Sequence, residues 1–257
     1  MAMYDLNEID LRWCKQKTLM LGASKIGKTE FWNDEKTFYI KLEPGHNHIK
    51  HMGVECRTLK EFDETIKKLA VDISSKKAPI DTVVVDTGDR FVQCIDEDVV
   101  EWANNKYKAD INSVGDVPEG AGWARRTIHL NTYLKALEDL GVHVVIIFHV
   151  ANEERQDEAG NKYKCATINL GGKAGRAICG WADHIMHVRS VMVGDMLVRR
   201  VVMKGTKNIE AGTRIKDLKE LKWESDRVKN FANFRKLFTE ETKDGHCKGS
   251  IPTEQTS

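Results

Sequence analysis

Apolar residues fall along this chain in short solid runs, separated by longer stretches in which they recur every three or four positions. Lys17–Leu21 (KTLML), Thr37–Leu42 (TFYIKL), Asp81–Asp86 (DTVVVD) and His143–Val150 (HVVIIFHV) are runs of strand length with few polar interruptions. That pattern suits strands covered on both faces in a parallel sheet. The stretches beginning at Thr58 (TLKEFDETIKKLAVDI), Asp89 (DRFVQCIDEDVVEWANNKY) and Gly122 (GWARRTIHLNTYLKALEDLG) carry helical spacing. Thr58 and Glu61 stand at capping-box distance, and the third stretch closes on Gly141. Strand alternating with helix predicts right-handed βαβ crossovers.

From about Asn152 the texture changes. ERQDEAGNKYKCATINL alternates around Gly160, and HIMHVRSVMVGDMLVRRVVMKG reads as two strands turning at Gly194-Asp195. The fold class expected is α/β: a mostly parallel sheet flanked by helices, with an antiparallel C-terminal extension along one edge. An N-terminal segment (1–16) precedes a domain over 17–222. A C-terminal helix and polar tail, disordered by composition, fill 223–257.

The 257 residues are 41% apolar and 31% charged, enough for one sizeable core. Forty basic residues against thirty-nine acidic ones leave a net charge of +1, so binding to a polyanion must rely on local patches. Six cysteines are widely spaced without a C-x-x-C pair, and the N-terminus has no apolar run. The expectation is a reduced, cytoplasmic protein with structural thiols and no membrane segment.

Gly22-Ala23-Ser24-Lys25-Ile26-Gly27-Lys28-Thr29 fits the phosphate-binding pattern G-x-x-x-x-G-K-[ST], placed between a predicted strand and a predicted helix. In such a loop backbone N–H groups turn inward on phosphate oxygens, the lysine charge reaches the β- and γ-phosphates, and the threonine hydroxyl ligates Mg²⁺. ATP and Mg²⁺ are therefore the expected cofactors, with Thr29 a metal ligand. TVVVDTGD looks like a Walker B strand and supplies Asp86, at the strand end, as the carboxylate on the Mg²⁺ side; the alternative is an aspartate capping the next helix.

FYIKLEPG places Glu43 just beyond the second strand, before Pro44-Gly45, and VVIIFHV ends on His149. In both place and residue type these resemble RecA-like ATPases, and the resemblance implies that the α/β fold is a RecA-like P-loop NTPase core. There a glutamate at this position polarises the attacking water, and a polar residue on the strand beside the Walker B aspartate senses the γ-phosphate. The resemblance implies catalytic roles for Lys28, Glu43, Asp86 and His149; a solvent-facing Glu43 and a structural His149 are the alternatives.

The order of these motifs, followed by GGKAGRAICGWADHIMHV and MKGTKNIEAGTRI, resembles phage-encoded RecA-like ATPases of single-strand annealing and recombination. The likeness runs from about Thr18 to Leu218 and takes in Gly172-Lys173, Trp181 and Asp183. It implies single-stranded DNA as partner, a homo-oligomer in a ring or short filament, a single-strand binding protein as a further partner, and the host cytoplasm as location. Lys204, Lys207 and Arg214 are then candidates for reaching a neighbouring subunit's nucleotide. No separate N-terminal DNA-binding domain or polymerisation motif is evident.

DNA contact is expected from two loops. Asn104–Arg126 offers Lys106, Tyr107, Lys108, Trp123, Arg125 and Arg126, cations with aromatics that can stack on bases. Asn152–Lys164 offers Arg155, Lys162, Tyr163 and Lys164 among acidic neighbours. The alternative makes Trp123 a core residue and the cations a solvated helix face. His46, His48, His51 and Cys56 match no zinc spacing, so no zinc is expected. Three function classes remain: a DNA-stimulated ATPase, a small-molecule (nucleotide) kinase, and a nucleotide-dependent loader or switch acting through protein partners. The strand-rich second half, where a kinase would place a helical lid, favours the first.

Overall fold

The structure, a computed structural model, describes residues 12–43, 50–224, 227–238, 240–241 and 247–248. The solid apolar runs form the centre of one large sheet. Strands β1 (Lys17–Gly22), β2 (Thr37–Lys41), β3 (Met52–Glu55), β4 (Thr82–Asp86) and β5 (His143–Gln156) are interleaved with helices α1 (Lys28–Phe31), α2 (Leu59–Ser74), α3 (Gly88–Tyr107) and α4 (Ala121–Glu138). Then follow β6 (Lys162–Ile168), α5 (Gly172–Trp181), β7 (His184–Val193), β8 (Met196–Val202), β9 (Gly212–Thr213), β10 (Glu220–Lys222) and α6 (Arg227–Arg235).

The strand order is β10-β8-β7-β1-β5-β4-β2-β3, with β6 on β5 and β9 on β7. Pairings from β3 across to β7 are parallel. Those of β8, β9 and β10, and of β6 with β5, are antiparallel. The fold is thus mixed α/β, a mostly parallel sheet flanked by helices with antiparallel C-terminal strands. Two details differ from the sequence expectation. β7 joins the parallel set beside β1, and the antiparallel β6 does not extend an outer edge: it pairs with a β5 that runs past His149 to Gln156. β3 lies in the histidine-rich stretch where no strand is predicted; its burial is slight, which removes the apolar signal.

Local chemistry explains the helix starts. Thr58 and Glu61 form the predicted capping box on α2, and Thr87 caps α3 through its hydroxyl, which accepts from the Arg90 N–H. Gly88 lies so close to β5 that a Cβ there would collide with the Phe148 ring and Ile146, so only glycine lets α3 start against the strand.

Two apolar layers enclose the sheet. One contains Phe62, Phe91, Leu130 and Leu134 beneath α2–α4, and the other contains Phe31, Trp32, Tyr39 and Val201 beneath α1 and α6. Trp13, Phe231 and Phe234 belong to the second layer, so residues flanking the 17–222 span pack into the same core. The tail segments 242–246 and 249–257, and residues Pro44, Gly45, His46 and His48, lie outside the described residues. Among the described residues no helix is long and apolar enough to cross a membrane. Five described cysteines are free thiols, and burial raises the pKa of Cys56, Cys94, Cys165 and Cys179, the last to about 12.

Candidate nucleotide site

β1, β4 and β5 are parallel neighbours, so the residues that follow them converge on one edge of the sheet, where crossover loops of open α/β folds bind ligands. After Gly22 the chain enters the phosphate loop. Ser24 and Lys25 are exposed, Ile26 is half-buried against the core, and Gly27 adopts φ 101°, a left-handed conformation suited to glycine, immediately before α1. Lys28 points back into the loop, its ammonium donating to the carbonyls of Gly22 and Ala23, each at 2.8 Å. It is only 6% exposed, and this desolvation lowers its pKa against the opposing attraction of Asp86, Asp89 and Glu43.

Asp86 is 4% exposed and accepts the Thr29 hydroxyl at 2.6 Å. It ends β4 rather than capping α3, a task that falls to Thr87. The Thr87 hydroxyl donates to Glu43 at 2.7 Å, tying the residue after β2 to the end of β4. Tyr39 supports the floor, donating from its hydroxyl to the Thr29 carbonyl at 2.9 Å; burial raises its pKa well above the usual value.

His149 is half-buried at the last position where β5 pairs with β1, opposite Gly22. It lies within β5, because the strand continues into the hairpin with β6. Its backbone N–H donates to Asp89 at 2.8 Å, and its ring Nδ1 lies 3.2 Å from the same carboxylate oxygen. The other Asp89 oxygen is buried without a partner. Asp89, Thr87 and Tyr39 were not singled out in the sequence. The signal for Asp89 was the second acid of DTGD, three residues after Asp86 at the start of a helix.

Thr29 and Asp86, hydrogen-bonded to each other, are hard oxygen ligands of the kind that suits Mg²⁺, and Asp89 is near enough to act on the Lys28 charge. With the loop N–H groups and Lys28 they fit a nucleotide's phosphates and its metal. Fold and loop together define a P-loop NTPase. The AAA domain family profile matches residues 14–215, and the chain belongs to that family. A comparison with curated proteins finds no match.

The remaining candidate residues lie elsewhere. Lys106 sits on α3 with its ammonium 4.9 Å from the Trp102 and Tyr107 rings, and Lys108 is the exposed left-handed residue closing the helix. Arg125 stacks on Trp102 at 4.5 Å, and Arg126 pairs with Asp96 at 2.7 Å and faces Trp123. Trp123 is 52% exposed and so is not a core residue. Lys106, Trp123, Arg125 and Arg126 are thus helical rather than loop residues, and Lys106 lies seventeen residues along α3 from Asp89, roughly 26 Å.

Asn152–Lys164 is likewise not a loop but the β5–β6 hairpin, because its alternation pairs strand with strand. Its charges are mostly matched: Arg155 with Glu153 and Glu210, Lys162 with Glu154 at 2.8 Å. The Lys164 carbonyl accepts from Asn208. Lys207 pairs with Asp157 at 2.9 Å, and Arg214 with Asp183 at 3.1 Å. Asp183 also accepts the Lys17 N–H where β1 begins, so Arg214 stands at the far end of the sheet from its own phosphate loop. Lys204 is exposed. A cavity of about 830 Å³ lies between the hairpin and α5, lined by Arg155, Thr167, Asn169, Arg176 and Glu210.

Proposed function

We propose that the protein binds and hydrolyses ATP at this edge and couples the nucleotide's state to single-stranded DNA. The observation that carries the first half is the Thr29–Asp86 hydrogen bond beside a buried Lys28, with Glu43 fastened to the neighbouring strand end. The N–H groups of Gly22–Thr29 and the Lys28 ammonium hold the phosphates, while Thr29 and Asp86 hold Mg²⁺. Held there, Mg²⁺ would supply positive charge against the phosphate oxygens, while Thr29 and Asp86 fix its place. Glu43, oriented by Thr87, retains a carboxylate oxygen to accept a proton from the attacking water. His149, held by Asp89, registers whether the γ-phosphate is present.

The second half is supported by the resemblance to annealing and recombination ATPases and by the continuity of β5 from His149 into the hairpin. Lys106, Lys108, Trp123, Arg125 and Arg126, with the hairpin's Arg155, Lys162 and Lys164, form the proposed DNA surface. In a ring or short filament, Lys204, Lys207 and Arg214 are the cations presented to a neighbouring copy.

The test is ATP turnover with and without single-stranded DNA across a salt series. Turnover should rise with DNA, and the affinity should fall as salt increases. Replacing Lys106 and Lys108 together by alanine should flatten the log–log salt slope by about 1.4, two lost phosphate contacts on a single strand. His149→Ala should keep both ligands yet abolish the difference in DNA affinity between ATP-analogue and ADP states. No DNA binding at low salt would overturn the coupling and favour a kinase or a protein-partner switch.

A further inference from the structure

The phosphate loop lies in a trough. β1 sits between β5 and β7, and both neighbours overrun it as hairpins. β7 is level with Gly22 at Val188 and continues to Val193 before β8 returns. On that return Arg199 lies opposite Ser190, two residues beyond the level of Gly22. Positions 199 and 201 share a face of β8, and Val201 is buried with Phe31 and Trp32, so Arg199 is on the face that carries α1.

There the guanidinium comes against the loop itself. A Cβ built on Gly27 would stand 3.1 Å from Arg199 Nη1 and 3.2 Å from the Trp223 ring. The Arg199 guanidinium faces that ring at 5.6 Å, and the ring in turn packs on Phe31 of α1 at 5.6 Å. Arg200, next in sequence, is paired with Glu220 at 2.6 Å. Arg199 has no carboxylate partner among the described residues; its contact is the indole. A cation fixed on an aromatic face beside the glycine that precedes Lys28, with its charge unmatched, has the position and chemistry to receive an anion.

We propose that Arg199 engages the phosphates of the nucleotide bound in the same subunit, and that Trp223 is the platform positioning it. The inference rests on the phosphate-loop reading of Lys28. A guanidinium presents a planar fork that matches phosphate oxygens, so its contribution grows with the charge of the phosphate chain. Arg199 therefore favours the triphosphate over the diphosphate and is distinct from the cations proposed to act on a neighbour.

The test measures equilibrium affinity for a non-hydrolysable ATP analogue and for ADP in wild type, Arg199→Ala, Arg199→Lys, Trp223→Phe and Lys28→Ala, with a melting curve of each free variant. Arg199→Ala should lose about tenfold in affinity for the ATP analogue and clearly less for ADP, with an unchanged melting temperature. Arg199→Lys should recover part of the loss, because the charge returns without the fork. Trp223→Phe, which keeps a ring, should lie between wild type and Arg199→Ala. Equal affinities for wild type and Arg199→Ala, with binding strongly weakened in Lys28→Ala, would overturn the Arg199 assignment and leave the loop reading intact. So would an equal loss for both nucleotides accompanied by early melting, which marks a structural arginine. Normal binding in Lys28→Ala would overturn the loop reading itself.

Discussion

The two ends of the parallel strands are built on opposite principles. At the end where β1 and β4 finish, charged side chains crowd together: Lys28 is buried on two loop carbonyls, Asp86 accepts the Thr29 hydroxyl, and one buried Asp89 oxygen has no partner among the described residues. At the end where β1, β5 and β7 begin, two fully buried histidines stay neutral among aromatic rings. His143 bonds to the Thr18 hydroxyl at 2.9 Å and lies edge-on to Trp13, while His184 bridges Thr213 and Gln16. The charges there, Asp183 with Lys17 and Arg214, Asp81 with Arg235, are matched in place. The end proposed to take phosphates and a metal keeps buried charge; the end that only closes the core neutralises what it buries.

Substitutions can break this contrast if they move activity and stability together. The largest effect is expected from Glu43→Gln, which keeps the hydrogen bond to Thr87 but removes the base. Turnover should fall by about 10²–10⁴-fold at unchanged nucleotide affinity, read by steady-state turnover beside equilibrium binding. Loss of affinity with unchanged turnover per bound nucleotide would make Glu43 structural. Lys28→Ala should weaken nucleotide binding by roughly a hundredfold, as a charged partner of two phosphates is lost, while the melting temperature of the free protein stays near wild type.

The opposite end should respond to acid instead. Burial lowers the pKa of His184 to about 4 and that of His143 well below its usual value, so the folded state favours the neutral rings. Their contribution is full above about pH 6.5, where the unfolded chain is also neutral, and is lost progressively as pH falls toward the folded values. At pH 5 His184 alone should cost about 2 kcal/mol, with His143 adding in the same direction. Chemical denaturation at pH 7 and pH 5 checks this, and His184→Gln should shrink the difference.

The first of these ends was legible in the sequence and the second was not. Asp86 follows four consecutive apolar residues and Lys28 sits in an eight-residue pattern, so chain order alone puts both at strand ends. Glu43 and His149 stand at or just beyond the ends of such runs, and it is the resemblance to RecA-like ATPases that singles them out. The partners that orient them, Thr87 and Asp89, required the geometry of one turn, and Arg199 required a hairpin fold-back that no local pattern encodes. His143 and His184 open apolar runs in the manner of any polar residue bounding a strand. Their burial follows from Trp13 and α6, which come from distant parts of the chain. The cations proposed for DNA were legible as residues but not as a field, because their carboxylate neighbours lie across strands or helices rather than along the sequence.

β5 gives the molecule a beam. It pairs with β4 as far as Ile147 and with β1 as far as His149, and from Val150 to Gln156 its strand partner is β6 alone, with Glu210 and Lys207 tied to the hairpin through Arg155 and Asp157. The strand runs unbroken from one part to the other, and the last seven residues make an arm of about 23 Å. A tilt of some ten degrees at His149 therefore carries the hairpin tip through roughly 4 Å, a movement large enough to be read by anything resting on it.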